Sequence, residues 1–260
     1  MQIASFETDL TDTQWQLIEL LLPAPKRFGR PPTDRRRLLD ALLYVVKSGC
    51  PWRLLPKNFP SWKTVYGRFR KWCLDGTWAL LNDALRAVVR TEEGKEIAPT
   101  AAVLDSQTVR SDSHGGQVGY DAGKKTKGRK RFILVDTLGF LLGVAVAPAD
   151  TPERAGARSL LETVLPQFGS LQKLWVDGGY SGPEFSNWAR DLAPQLEVEV
   201  IKRSDSVQGF QVLPKRWVVE RTFGWLVRHR RLVRDYEKTE SSAVGWLFLA
   251  LIRVMLGRIA

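Results

Sequence analysis

Three carboxylates occur in the sequence where a metal ligand could be placed. Asp105 and Asp177 each end a short apolar run, VLD and WVD, which predicts an acid at the carboxyl end of a strand. Glu220 lies in the basic, aromatic segment KRWVVERTFGWLVRHRRLVRDYEK. Mg²⁺ takes oxygen ligands from a few carboxylates, with water and phosphate completing the shell. Two such ions about 4 Å apart activate an attacking oxygen and stabilise the leaving oxygen of a phosphodiester.

The same three acids also have an ordinary structural explanation. A strand-end Asp commonly caps a turn, and a Glu among Arg residues commonly forms a surface ion pair worth under about 1 kcal/mol. Arg216 precedes Glu220 by four residues, and Arg231 follows it by eleven, so a continuous helix would present both Arg residues on the face of Glu220. Whether the acids form one site therefore depends on the elements that carry them.

The charge of the chain limits its partners. The 260 residues carry a formal net charge of +11. Lys and Arg neutralise phosphates and release condensed counterions, so a folded chain this basic is expected to bind a polyanion. Charge alone leaves DNA, RNA and an anionic membrane surface open.

The first hundred residues have the periodicity of helices. The segment TDTQ at 11–14 predicts a capping box, and further helices are expected from an N-cap at Thr33 to a stop at Gly49 and from a cap at Ser61. Two interpretations are open. In a helix-turn-helix-like domain the helix from Ser61 would contact DNA; in a plain bundle its cations, Lys63, Arg70 and Lys71, would form a solvated rim.

The pattern of apolar and polar residues changes after the polar stretch 91–101. Short apolar, β-branched runs alternate with helical segments in the order strand, hairpin, helix, strand, helix, strand, helix. Asp136 in VDTLG is interpreted as the hairpin-turn residue. This order predicts a mixed α/β sheet flanked by helices, preceded by a helical N-terminal domain.

A dense run of cations, GKKTKGRKR at 123–131, precedes one predicted strand. It is either a clamp on the DNA backbone or a solvated loop, and the clamp is the preferred interpretation. The residues concerned are Lys124, Lys125, Lys127, Arg129 and Lys130.

Several segments in family order resemble bacterial insertion-sequence transposases of the DDE type, and more narrowly the insertion-sequence-five family. They are LTDTQWQLIELLLP, GCPWRLLP, DSQTVRS, GYDAGKKTKGRKRFILVDTLG, VDGGYSG and LPKRWVVERTFGWLVRHRRLVRDYE, of which DSQTVRS and RWVVERTFGWL are the specific ones. The resemblance covers nearly the whole chain.

The resemblance implies an RNase H-like catalytic fold with Asp105, Asp177 and Glu220 as a metal triad. Two Mg²⁺ ions are expected, with Mn²⁺ as a substitute. It also implies binding to terminal inverted repeats of double-stranded DNA, cleavage at the ends and joining to target DNA. A homodimer or larger homo-oligomer is expected, because two ends must be paired. Residues 1–92 would be the DNA-binding domain and residues 93–260 the catalytic domain with C-terminal helices.

One family signature is only half matched. It consists of Tyr, two residues, Arg, three residues, Glu, six residues and a basic residue; Arg216 and Glu220 fit, whereas Leu213 and Val227 depart from it. Arg228 or Arg231 is expected to replace the missing cation. The DNA-binding residues expected in this segment are Arg216, Arg221, Arg228 and Arg231.

Three functions other than a transposase remain open on the sequence. A hydrolytic nuclease would use the same triad without joining DNA, and an inactive relative would only bind DNA. A membrane-surface protein would need an exposed basic amphipathic helix.

The apolar C-terminal stretch AVGWLFLALIRVMLGRIA is interrupted by Arg253 and is interpreted as a buried helix. Cys50 and Cys73 are expected to be free, and MQIASFETDL has no signal-peptide pattern, so a cytoplasmic, nucleoid-associated protein is expected.

Overall fold

The computed structural model describes residues 6–24, 33–112, 116–201 and 214–260. The chain divides into two compact units. The helical unit comprises Met1–Val89 and Trp225–Ala260, and the sheet unit comprises Arg90–Gly224. The helices after residue 225 pack in the helical unit, and the division into domains 1–92 and 93–260 stays a prediction.

The helical unit is built from elements in the first and last parts of the sequence. They are α1 (Asp12–Glu19), α2 (Arg35–Ser48), α3 (Trp62–Leu74), most of α4 (Thr77–Glu92), the end of α7 (Pro214–Val227), α8 (Arg230–Val233) and α9 (Glu240–Ile259). Helix α1 begins with the predicted capping box, in which Gln14 N donates to Thr11 Oγ1 at 3.1 Å and Thr11 N donates to Gln14 Oε1 at 3.2 Å. Helix α2 is capped by Asp34 rather than by the expected Thr33.

Aromatic packing holds the helical unit together. Phe69 on α3 stacks on Trp246 of α9 with ring centroids 4.1 Å apart, and Trp72 meets Trp78 edge to face at 5.3 Å. Among the described helices, α9 is the one long and apolar enough to cross a membrane by length and composition alone. Its leucines, including Leu247, are buried inside the unit, so it is a core helix as expected.

The connection between α2 and α3 is longer than the turn of a compact helix-turn-helix motif. Gly49 ends α2 at φ 72°, in the left-handed region, as its stop position predicted. Residues 49–61 follow, including a short 3-10 turn at Trp52–Leu54. A compact helix-turn-helix motif uses a turn of about 3–4 residues, so a helix-turn-helix-like arrangement of these helices stays a prediction.

The sheet unit contains a six-stranded mixed sheet. Its strands are β1 (Ala101–Arg110), β2 (Gly119–Asp121), β3 (Thr126–Asp136), β4 (Leu141–Pro148), β5 (Lys173–Val176) and β6 (Glu197–Val200), with helices α5 (Glu153–Val164) and α6 (Pro183–Leu192) between strands. The order is β2-β3-β1-β5-β6, with β4 also paired to β3. The β1–β3 and β3–β4 pairs are antiparallel, and the β1–β5 and β5–β6 pairs are parallel.

Two turns of the sheet carry residues noted in the sequence. Asp136 ends β3 and accepts from the backbone N–H groups of Leu138 and Phe140, which confirms the predicted hairpin turn. It also accepts from Arg90 at 2.7 Å, a buried ion pair that the sequence did not indicate. The cationic run 123–131 is not a loop, because from Thr126 onwards it is strand β3.

Helices α5 and α6 pack on the sheet over an apolar core. Its members include Phe132, Leu134, Leu160, Leu174 and Phe185. Gly156 of α5 lies directly against the ring of Phe132, so that a Cβ added at Gly156 would come 2.1 Å from Phe132 Cζ. This close approach fixes the distance between α5 and the sheet.

Candidate active site

The parallel pairing of β1 and β5 brings two of the three predicted acids together. Val103 pairs with Trp175, and Asp105 and Asp177 each follow two residues later in the sequence. Asp177 directly follows β5, and its Oδ1 accepts from Gly179 N at 2.9 Å. Asp105 does not end its strand as expected. It lies in the middle of β1, opposite Ile133 of β3.

The third predicted acid, Glu220, is connected to Asp105 by the side chain of Arg216. Arg216 and Glu220 share one face of α7, and the Nη2 atom of Arg216 lies 3.7 Å from Glu220 Oε1. The same nitrogen lies 3.9 Å from Oδ2 of Asp105. The expected common face of Arg216 and Glu220 is confirmed, and the guanidinium links the helix acid to the strand acid.

A fourth carboxylate, Glu153, was missed in the sequence. Its Oε1 accepts from Ser106 Oγ at 3.2 Å. A Cβ placed on Gly179 would lie 3.0 Å from Glu153 Oε2 and 3.1 Å from Asp177 Oδ1, so both acids approach the same point. The available signal was its position at the start of α5, directly after β4, but a Glu there is ordinarily explained by the helix dipole.

The loop after Asp177 is held by the residue next to Glu153. Arg154 donates from Nε to the carbonyl of Gly179 at 3.1 Å and from Nη2 to the carbonyl of Ser181 at 2.5 Å. Helix α5 therefore contributes both a carboxylate and a support for the Asp177 loop.

Asp105 is the acid most affected by its surroundings. Burial, together with the neighbouring carboxylates of Asp177 and Glu153, raises its pKa to about 6, against the lowering effects of a hydrogen bond from Ser106 N and of Arg216. Desolvation and like charge both disfavour the ionised form. A bound cation would remove this cost, because it compensates the charge that burial and repulsion oppose.

Tyr180 belongs to the VDGGY segment, which begins at the last residue of β5. Its side chain is buried, and its hydroxyl has no hydrogen-bond partner among the residues that the structure describes. Burial raises its pKa, and Glu153, Asp105 and Asp177 add to this effect. A phenol beside carboxylates remains a proton donor at neutral pH.

The donor chemistry of these acids suits a hard cation. All four side chains offer oxygen, the ligand type that Mg²⁺ and Mn²⁺ share. Within the described ranges, however, no group of three or more His, Cys, Asp or Glu residues is arranged to hold a metal ion. Asp105 and Asp177 are thus brought together, while Glu220 is connected through Arg216.

The predicted DNA-contacting cations differ in their exposure. Those with exposed side chains are Lys63, Lys71, Lys124, Lys125, Lys127 and Arg228. Those that are partly buried are Arg70, Arg216 and Arg221. Those that are buried are Arg129, Lys130 and Arg231.

The buried members correct the expectation of a surface clamp. Lys130 donates to the carbonyl of Thr151 at 2.9 Å, and Arg231 donates from Nε to Glu237 Oε1 at 3.0 Å. Arg129 has 1% of its surface exposed. All three side chains are buried, and those of Lys130 and Arg231 hydrogen-bond within their own units.

The position of Arg231 also corrects its expected alignment with Glu220. Helix α7 ends at Val227, and Arg231 belongs to the separate helix α8. The three-turn spacing along one continuous helix is therefore absent. Leu213, the other departure from the family signature, lies outside the described residues.

Two family models match the chain. The model described as "Transposase DDE domain" matches residues 97–255, and the model described as "Putative transposase of IS4/5 family" matches residues 10–82. DDE domains belong to the RNase H-like class. In this chain one acid lies within the first strand of the mixed sheet, a second follows the parallel neighbouring strand, and a third lies on a later helix, which is the arrangement of that class. The chain belongs to the DDE transposase family of bacterial insertion sequences.

Two similar proteins each match part of the chain. The chain is 35% identical over 117 residues to an uncharacterized 16.2 kDa protein of insertion element IS402 from Burkholderia cepacia, covering 42% of this chain and 78% of that protein. It is 33% identical over 106 residues to the uncharacterized protein y4sN of Sinorhizobium fredii, covering 40% of this chain and 78% of that protein.

Proposed function

We propose that this transposase binds the terminal inverted repeats of its element, cleaves DNA at their ends and joins the resulting 3′-OH to target DNA. The observation that supports this proposal is the pairing of β1 with β5, which brings Asp105 beside Asp177. Arg216 connects Asp105 to Glu220. An acidic site of this composition suits in-line displacement at phosphorus, where positioning and charge stabilisation account for most of the rate.

The residues proposed to hold divalent cations are Asp105, Asp177 and Glu220. Two Mg²⁺ ions, or Mn²⁺ in their place, would supply Lewis-acid activation of the attacking oxygen and charge stabilisation at the leaving oxygen. Glu153 is proposed as a fourth carboxylate of the site, because it approaches the same point as Asp177.

The side chains around the acids have separate proposed tasks. Arg216 compensates Asp105 and Glu220 in the free protein and is placed to contact a phosphate when cations bind the acids. The Tyr180 hydroxyl is a buried donor for an oxygen in the site. Arg154 keeps the Asp177 loop in position.

Exposed cations are proposed to bind the DNA backbone. Lys124, Lys125 and Lys127 lie on the turn and first residues of the β2–β3 hairpin, and Lys124 Nζ is 3.9 Å from Glu153 Oε1. This places the hairpin beside the acidic site. Lys63 and Lys71 on α3, together with Arg70, Arg221 and Arg228, are proposed as further DNA-binding residues. Replacing a cation that neutralises one phosphate should reduce the salt slope of binding by about 0.9.

The partners and location follow from the proposed reaction. Pairing two element ends would require a homodimer or larger assembly on double-stranded DNA. A protein that acts on bacterial DNA would work in the cytoplasm at the nucleoid.

Strand transfer tests the proposal directly. The full chain is mixed with labelled, pre-cleaved ends of its own element and supercoiled plasmid, in Mg²⁺ or in EDTA. The test variant is Glu220→Gln, and the matched control is Glu162→Gln, an exposed acid on α5 of the same unit. Joined product should require both Mg²⁺ and Glu220 and should be unchanged in the control.

Each other outcome rejects a named part of the proposal. Plasmid nicking without joined product would favour the hydrolytic nuclease. Bound ends with neither cleavage nor joining would favour an inactive DNA-binding relative. Joining that persists at a near-normal rate in Glu220→Gln would remove Glu220 from the site.

A further inference from the structure

A cavity in the helical unit combines aromatic rings with cations. Its volume is about 540 Å³. The aromatic side chains that line it are Trp52, Trp62, Tyr66 and Tyr236, and the cationic ones include Arg53, Arg70 and Lys238. None of these residues belongs to the acidic site.

Some of the aromatic rings pack against neighbouring rings, and the two tyrosines are partly exposed. Trp52 packs against Trp246 of the core with centroids 5.6 Å apart, and Tyr66 meets Trp52 edge to face at 5.2 Å. Tyr66 nevertheless has 38% of its surface exposed, and Tyr236 has 40%. Rings held in this way offer flat faces to a ligand without a large cost in side-chain ordering.

The charges of the cavity are predominantly positive. Its one acid among the described residues, Glu237, accepts from Arg231, which is also at the wall. Arg70 donates to the hydroxyls of Thr239 at 2.7 Å and Ser242 at 3.1 Å. In the described part of the chain, Arg53, Arg70 and Lys238 have no carboxylate within ion-pair distance, and the Arg53 guanidinium lies 5.7 Å from the ring centroid of Trp62. No acid among the described residues therefore neutralises these three charges.

We infer that this cavity binds an unpaired nucleotide of DNA, with the base stacked on the tyrosine and tryptophan rings and the flanking phosphates on Arg53 and Lys238. Every base has a π-face, so such stacking tolerates any sequence, and basic grooves with aromatic rings are the usual site for single strands. A base within a duplex is inaccessible to such a cavity. The inference deepens the proposed function and rests on it, because it assigns single-stranded or locally unpaired DNA to a surface separate from the acids.

Binding of a short single strand tests the inference without metal or chemistry. The full chain is titrated against a fluorescein-labelled oligothymidylate and against a duplex of equal length, in EDTA, with fluorescence anisotropy as the readout. The test variant carries Tyr66→Ala and Tyr236→Ala. A second variant carries Tyr66→Phe and Tyr236→Phe, and the control is Leu80→Ala, an exposed side chain of the helical unit outside the cavity.

The alanine pair should weaken single-strand binding by about tenfold or more, which corresponds to the loss of about one stacked base. The phenylalanine pair and Leu80→Ala should bind as the original protein does. Circular dichroism of each variant should be unchanged, because both tyrosines are exposed. A 5-iododeoxyuridine placed in the oligonucleotide should cross-link on irradiation to Tyr66, Tyr236, Trp52 or Trp62, located by mass spectrometry.

Equal single-strand affinity in the alanine pair, or cross-links confined to other residues, would overturn the inference. An equal loss in Leu80→Ala would also overturn it, since the effect would then be general. The two experiments distinguish failure of the proposed strand transfer from failure of the proposed nucleotide binding. Loss of strand transfer in the preceding experiment would leave single-strand binding intact, whereas failure here would leave the metal-dependent joining of ends unaffected.

Discussion

His229 should make the helical unit sensitive to mild acid. Its imidazole is buried, with 4% of its surface exposed, and the ring Nδ1 hydrogen-bonds to the carbonyl of Trp225 at 3.1 Å. Burial, together with the positive charges of Lys47 and Arg253, lowers its pKa from 6.5 to about 4, against the opposing effect of the Trp225 carbonyl. The folded protein therefore keeps His229 neutral at a pH where the unfolded chain takes up a proton.

The sign and size of the effect follow from this difference. Below pH 6.5 the unfolded state binds more protons than the folded state, so the free energy of unfolding falls as the pH falls, until both states are protonated below about pH 4. A shift of this size corresponds to roughly 3 kcal/mol, at 1.36 kcal/mol for each pH unit. Asp105 acts in the opposite direction, because its folded pKa of about 6 exceeds the ordinary value of 3.8. The contribution of His229 must therefore be obtained as a difference.

Guanidinium unfolding of the protein and of His229→Gln at pH 7, 6, 5 and 4 supplies that difference. The original protein should lose about 3 kcal/mol relative to the variant across this range. The chain has two histidines, so NMR of the imidazole C–H groups identifies His229 by the signal that the variant lacks. An imidazole at position 229 that titrates near pH 6.5, or equal pH dependence in both proteins, would refute the reasoning.

Three further substitutions test the sheet unit and its acids. Gly156→Ala should destabilise the protein by about 1–3 kcal/mol in denaturant unfolding, because the new methyl group would overlap the ring of Phe132; unchanged stability would show that α5 shifts freely. Asp136→Asn should cost about 3–5 kcal/mol in the same assay, because it leaves the buried charge of Arg90 without its counterion, and a loss under about 1 kcal/mol would contradict this. Glu153→Gln should weaken Mn²⁺ binding, measured by electron paramagnetic resonance of the free ion, whereas equal affinity would remove Glu153 from the proposed site.

Local patterns in the sequence predicted the elements whose stabilising contacts are local. The capping box at Thr11 and the hairpin turn at Asp136 depend on hydrogen bonds within a few residues, and both are confirmed. Asp177 lies directly after its strand as expected, because the apolar run and the following glycines already mark the end.

The features that the sequence did not reveal depend on distant partners. Strand β1 continues past Asp105 because β3 pairs with it as far as Arg110, and this pairing overrides the polar character of the residues that follow. Glu153 joins the acids only because α5 packs close to the sheet through Gly156. Cations such as Lys130 look exposed in a basic run, although their side chains reach inward to acceptors far along the chain.

The division of the helical unit between two distant parts of the chain determines the order in which the units can be completed during synthesis. The sheet unit starts later but contains all its residues by Gly224, whereas the helical unit lacks α9 until residues 240–259 leave the ribosome. Until then Phe69 has no Trp246 to stack on. A product that terminates before α9 would expose the aromatic core of its N-terminal helices, and such exposed apolar surface promotes aggregation. Only translation through α9 therefore yields both folded units.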